Sequence, residues 1–207
     1  MNPDLVRLRN QVAKLYLEAL GVIRDLMKLL DSDEGSREVL ERELNEKIEV
    51  ISISRIELIN NILVFIARNQ PLGLELVEAS NLLYLVYDIY RFGRYAREIF
   101  LADKKGVRLS TPGLRDLVEP GLKIAVEAVE KSYKAYFENC TGCVEEVRRL
   151  GVESDKLYIK QLEKISANEV INNADAIALL VLRHIERIVD HAERVSVLSV
   201  KYTGAHS

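Results

Sequence analysis

Arg183-His184-Ile185-Glu186-Arg187-Ile188-Val189-Asp190-His191-Ala192-Glu193-Arg194, near the C-terminus, is the stretch whose reading decides the fold. On a helix, residues four apart project from one face, so Glu186 and Asp190 stand one turn above the other. Ile185, Ile188, Val189 and Ala192 form the apolar stripe beside them. Like charges at that spacing repel by a few tenths of a kcal/mol, and a cation must answer for them, either arginines or a metal ion.

Working outward, Leu85 to Ile99 reads as a worn copy of Val181 to Val195. Ile89 meets Ile185, Arg91 meets Arg187 and Ala96 meets Ala192, while Phe92, Tyr95 and Ile99 meet Ile188, His191 and Val195. The chain therefore reads as a duplication. Tyr90 stands where Glu186 is and Arg94 where Asp190 is, so only the second copy keeps both carboxylates.

The rest of the chain supplies helices for that duplication. Asn2-Pro3-Asp4 is a helix start, with Asn as N-cap and Pro at the first helical position. Leu5, Leu8, Val12, Leu15, Ala19, Val22, Leu26 and Leu29 then step by three and four without a break. After the turn at Asp31 to Ser36, a second helix places Leu40, Leu44, Ile48, Ile51, Ile56, Ile59 and Leu63 on its inner face and stops at Asn69-Gln70-Pro71. A third, tyrosine-rich helix runs to about Asp103, and Thr111-Pro112 opens a fourth, which Pro120-Gly121 should kink or delay. The fifth runs from about Val144 to Ile165, and Ser166-Ala167-Asn168-Glu169 matches a capping box for the sixth. The expected fold is all-α, more than 75% helix. It has two three-helix bundles, residues 1–106 and 107–207.

The 207 residues are enough for one domain or two small ones, and 29 basic against 32 acidic residues give a formal charge of -3. That balance gives no support to nucleic-acid binding driven by overall charge. The apolar runs Leu82 to Tyr87 and Ala176 to Leu182 are too short to span a bilayer, and the N-terminus has no signal-peptide pattern, so a cytoplasmic location is expected. The chain has three His and neither a Glu-x-x-His pair nor a glycine-rich phosphate loop, which argues against catalysis. Cys140-x-x-Cys143 lacks a second ligand pair or a His partner at zinc spacing and the βαβ setting of a thioredoxin site, and reads as a structural turn or a disulfide ahead of a redox pair.

Ile185-Glu186-Arg187-Ile188-Val189-Asp190-His191-Ala192 closely resembles the signature of the PhoU family of phosphate-signalling regulators, whose repeats each end in an acid-x-x-x-Asp helix. Gln70-Pro71 with Leu74-Glu75-Leu76 is similar to the family's first-repeat bend. Asp155-Lys156-Leu157-Tyr158 with Gln161-Leu162 is similar to the motif on the helix before the second signature, particularly in archaeal members. The resemblance implies two three-helix bundles and carboxylate-bound surface metal. It also implies a role linking a phosphate ABC transporter to a sensor kinase, the protein being peripheral to the membrane through its partner. Carried over by position, the metal ligands are Glu186, Asp190 and Asp155, with Glu153 as a substitute; Gly151 stands where a second acid is expected four residues before Asp155. Oxygen donors suit iron(III), manganese, magnesium or calcium, with zinc also admissible. Arg94 could supply as a fixed cation what a metal would have brought to the first repeat, and Glu41 and Asn45 are polar positions on the second helix without a firm alignment.

Two readings of Glu186 and Asp190 stand side by side: a metal site, or a surface salt-bridged by Arg183, Arg187 and Arg194. His191, rotated about 100° from Asp190, is a packing residue or one that orients a ligand, and His184 a surface residue. The function expected is a regulatory binding protein of phosphate uptake and homeostasis, a homodimer. The alternative is a metal-free helical adaptor for another transporter or channel, with a metal-dependent hydrolase or oxidase behind both.

Overall fold

The structure, a computed structural model, describes residues 2–203. His206 lies outside the described residues. Six helices and no strand occur among them: α1 Pro3–Lys28, α2 Glu34–Asn69, α3 Leu74–Lys105, α4 Leu114–Phe137, α5 Thr141–Ser166 and α6 Asn173–Thr203. With 86% of the described residues helical, the fold clears the expected share.

Local chemistry sets several of these ends. Asn2 Oδ1 accepts from the Asp4 N–H at 2.9 Å ahead of Pro3, and Asp33 Oδ1 accepts from the Ser36 N–H at 2.8 Å, each satisfying a first-turn donor that has no intrahelical partner. Gln70 closes α2 in the left-handed region at φ 45°, turning the chain into Pro71.

α1, α2 and α3 pack pairwise on one another, as do α4, α5 and α6, and the two bundles meet along α3 with α6 and α1 with α4. One continuous apolar core runs through both. Tyr16 sits at its centre, fully buried: its ring lies edge-on to Phe92 of α3 at 5.6 Å, and its hydroxyl is 2.6 Å from Ser132 Oγ and 3.2 Å from the Val129 carbonyl on α4. Glu78 of α3 accepts from Arg9 Nε of α1 at 3.1 Å and from the Tyr136 hydroxyl of α4 at 2.8 Å. Tyr16, Glu78 and Tyr136 are thus buried with their polar atoms hydrogen-bonded, which is the condition for burying them cheaply.

Three expectations need correction. The inner face of α2 is Leu40, Leu44, Ile51, Leu58, Ile62 and Phe65, whereas Ile56 and Leu63 are exposed. Leu44, Ile51, Leu58 and Phe65 recur every seven residues, the spacing of a seam, but isoleucine and valine flank that seam all round and hid it. As a result α2 passes, by length and composition, as long and apolar enough to cross a membrane; only 22% of its apolar window is buried. Core helices of water-soluble proteins pass the same test, though mostly buried.

The second correction concerns α6, which begins at Asn173 rather than at the Ser166 capping-box match. Asn172 caps it: its Oδ1 accepts from the Asp175 N–H at 2.8 Å, and its Nδ2 donates to Asp175 Oδ2 at 2.8 Å. Ser166 is instead the last residue of α5. The third concerns α4, which starts at Leu114 with Gly113 before it and runs through Pro120 without delay; Thr111 makes no side-chain cap. Gly121 has another use. A Cβ there would lie 3.1 Å from both Ile185 and Leu182, so the glycine lets α6 come close to α4 at the level of Glu186.

Candidate functional site

α6 packs on α4 and α5 through Val181, Leu182, Ile185, Ile188, Val189 and Ala192, all buried. That stripe fixes the roll of the helix, and the roll turns Glu186 and Asp190 toward the groove beside α5. Asp155, exposed on α5, completes the group: one carboxylate oxygen from each of the three residues lies within 4.8 Å of the other two. The structure thus brings together all three residues singled out in the sequence. Glu153 is exposed and outside the group.

Burial differs among them. Glu186 is only 7% exposed, Asp190 is half-buried and Asp155 is open to solvent. Removal of Glu186 from water, and next the charge of Asp190, hold its carboxyl above the ordinary range of 4.5; Arg183 and Arg187 pull it back, and Asp155 adds to the rise. Arg183 Nη1 donates to Glu186 Oε2 at 2.8 Å and Arg187 Nη1 to Asp190 Oδ2 at 3.0 Å. Both local arginines therefore answer the pair, as the salt-bridge reading expected, yet they leave Glu186 raised and Asp155 without either of them. Three acids against two guanidinium groups is a donor set of hard oxygens with cationic demand unmet, and it fits a metal such as magnesium, manganese, iron or zinc with water completing the shell.

Arg194 does not join the group. Its Nη1 points toward Asp88 Oδ1 of α3, 3.7 Å away. His191 Nδ1 is 2.7 Å from that same Asp88 oxygen, with Tyr87 and Tyr95 flanking the imidazole at 6.0 Å and 5.8 Å. His191 is thus a packing residue that ties α6 to α3. Asp88 is 1% exposed, and its Oδ2 has no hydrogen-bond partner among the described residues. The pair lies under a cleft of about 600 Å³ between the bundles, bordered by Tyr84, Arg187, Asp190 and Arg194. Asp88 was missed in the sequence because an isolated acid on a tyrosine-rich helix gives no periodic signal. His184 is half-buried against the Tyr95 ring at 5.8 Å, and burial pushes its imidazole below 6.5.

Gly151 stands where a second acid of α5 was expected, and a side chain from α6 lies over the position. A Cβ at 151 would lie 3.2 Å from Glu193 Oε2, so a carboxylate from α6 already occupies that space.

In the first bundle the corresponding place is filled from within the protein. The Arg55 guanidinium of α2 lies over the Tyr90 ring at 4.3 Å, an attraction between a cation and the ring's negative face. Arg94 is exposed, and the cation that lies on Tyr90 is Arg55. Glu41 pairs with Lys104 and Asn45 is exposed, so neither faces Tyr90 as a ligand set would.

Cys140 and Cys143 are joined in a disulfide at the start of α5.

Residues 122–198 match the family model of the PhoU domain. No curated protein sequence matches the chain. Its fold is similar to the crystal structure of PhoU from Pseudomonas aeruginosa, with a TM-score of 0.85, 18% identity and 99% of each chain covered. It is also similar to the crystal structure of the phosphate transport system regulatory protein PhoU from Streptococcus pneumoniae, with a TM-score of 0.80 and 14% identity over 98% of this chain and 96% of that one. At these identities the two likenesses are likenesses of fold.

Proposed function

We infer, from the match of residues 122–198 to the PhoU domain model and the likeness of the whole fold to PhoU structures, that the protein is a regulator of phosphate uptake and phosphate homeostasis. The observation that carries the reading to a site is the convergence of Asp155, Glu186 and Asp190 within that domain. In this reading they hold a metal ion, whose charge settles the three carboxylates and presents a cationic spot on the surface. The chemistry supplied is electrostatic, and the protein acts as a binding partner rather than as an enzyme.

The partner proposed is a phosphate ABC transporter, its sensor kinase, or both, which places the protein in the cytoplasm and at the membrane only through that partner. The two bundles are read as repeats, residues 1–106 and 107–207, of which only the second holds the metal. Apolar side chains exposed on α2 and α3, among them Val50, Ile53, Ile56, Leu76 and Val77, support association as a homodimer.

Elemental analysis tests the site: a Glu186→Ala/Asp190→Ala double variant is expected to lose bound metal with its helix content kept, and a Tyr90→Ala/Arg94→Ala variant to keep it. Equal metal in both and in the parent would leave only a salt-bridged surface. Deletion in the source organism tests the function, with derepression of phosphate-uptake genes at ample phosphate as the expected result. If uptake stays regulated while another transporter changes, the chain is an adaptor of that other system.

A further inference from the structure

We propose that Cys140 and Cys143 form a thiol–disulfide exchange site that accepts electrons from a dithiol, with Cys140 as the sulfur attacked. The two residues differ in the way such a reaction requires. Cys140 caps α5 and is partly exposed at the edge of a small apolar cluster, while Cys143, one turn in, is 5% exposed and within that cluster with Ala135 and Val144. Thr141 and Gly142 between them are exposed, and a Cβ added at Gly142 would meet nothing within 4 Å, so no side chain covers that side of the turn.

As a staple the bond is poorly placed. Disulfides stabilise largely by closing long loops in the unfolded chain, and this one spans a sequence separation of 3. The turn also has its own ties: the Glu138 and Cys140 N–H groups both donate to the Lys134 carbonyl at 3.1 Å, and the Cys143 N–H donates to the Cys140 carbonyl at 3.2 Å. Opening the bond leaves these in place.

As a reactive group it is well placed. The first turn of α5 carries no acidic residue, so the unpaired N–H groups and dipole at that helix end favour a thiolate on Cys140. In the reaction, one thiolate of the dithiol bonds to Cys140 Sγ, and the Cys140–Cys143 bond breaks with its electron pair leaving on Cys143 Sγ, which takes up a proton. The second thiol of the reductant, deprotonated, then attacks its own partner sulfur and expels the Cys140 thiolate. The reductant ends as a cyclic disulfide, and the cysteine pair has gained two electrons and its protons.

The test uses the full chain. Cys143→Ser leaves Cys140 alone and Cys140→Ser leaves Cys143 alone; each is reacted with 5,5′-dithiobis(2-nitrobenzoate) near neutral pH, with circular dichroism confirming the helices. Cys140 is expected to react about tenfold faster or more than Cys143. In the unaltered protein, excess dithiothreitol is expected to open the bond with helix content unchanged, and glutathione disulfide to close it again. Equal or reversed rates, or a bond that opens only in denaturant, would make the pair a structural turn and overturn the proposal.

Discussion

Asp88 is the residue on which the joint between the bundles turns. Its carboxylate is buried with one oxygen on His191 and the other unpartnered among the described residues, so the imidazole is its one hydrogen-bond partner, with the Arg194 guanidinium 3.7 Å from the same oxygen. Replacing one member of such a pair leaves the other buried and unanswered, which costs more than the pair contributes. Asp88→Ala should lower unfolding stability by about 3 kcal/mol, and His191→Leu together with Asp88→Leu should restore part of it. Denaturant titration checks this, and a single-variant loss below about 0.5 kcal/mol would show that the pair bears little on the joint. Arg55 makes a milder contrast. Its cation–ring contact on Tyr90 is partly solvated, so Arg55→Ala should cost about 1 kcal/mol by the same measurement. The acids at 186 and 190 were legible in the sequence because helical spacing alone puts them together. Arg55, Asp88 and Glu193 were not, since each meets its neighbour across two helices and nothing local marks the meeting.

Among the elements, α6 depends most on its start. Asp175 receives the Lys164 ammonium at 2.6 Å and the Gln161 amide at 3.0 Å, and its main-chain N–H is held by Asn172. Lys164 first, then Gln161, hold its carboxyl below the ordinary 3.8. A carboxyl lowered by folding adds stability above its unfolded value and loses it as pH falls through the folded one. Asp175→Asn should therefore cost about 1 kcal/mol near neutral pH, with the gap from the parent closing as pH falls below the ordinary carboxylate range. A gap independent of pH in thermal melts would show that the charge is immaterial. Gly106 governs the other end of the bundle joint: a Cβ there would lie 2.3 Å from Ile177 and 2.8 Å from the Ala102 carbonyl. Gly106→Ala should cost about 1–3 kcal/mol, as overpacking does; a neutral effect would mean that Ile177 moves freely aside. The number, order and length of the helices could be read from spacing, because three-four periodicity survives wherever polar residues alternate with it. It failed on α2, where apolar residues surround the helix, and at the start of α6, where a formal capping match at Ser166 lost to Asn172 with its Asp175 partner.

For the whole molecule, exposed apolar residues on α2 and α3 call for a covering surface, and light scattering at high micromolar concentration is expected to give twice the chain mass. A monomer mass would assign that face to a different partner. The core common to both bundles makes a single cooperative unfolding transition the expected calorimetric result, whereas two separated transitions would show halves that fold alone. The shared core also has a consequence in time. Synthesis finishes α3 at Lys105, but the helix that covers its outer side, α6, ends at Thr203, the last described residue. At ordinary translation speed the first bundle waits roughly 5–20 s with that side bare. A chain of this design emerges from the ribosome as a half-finished interior, and its dependence on chaperones should be concentrated in that interval.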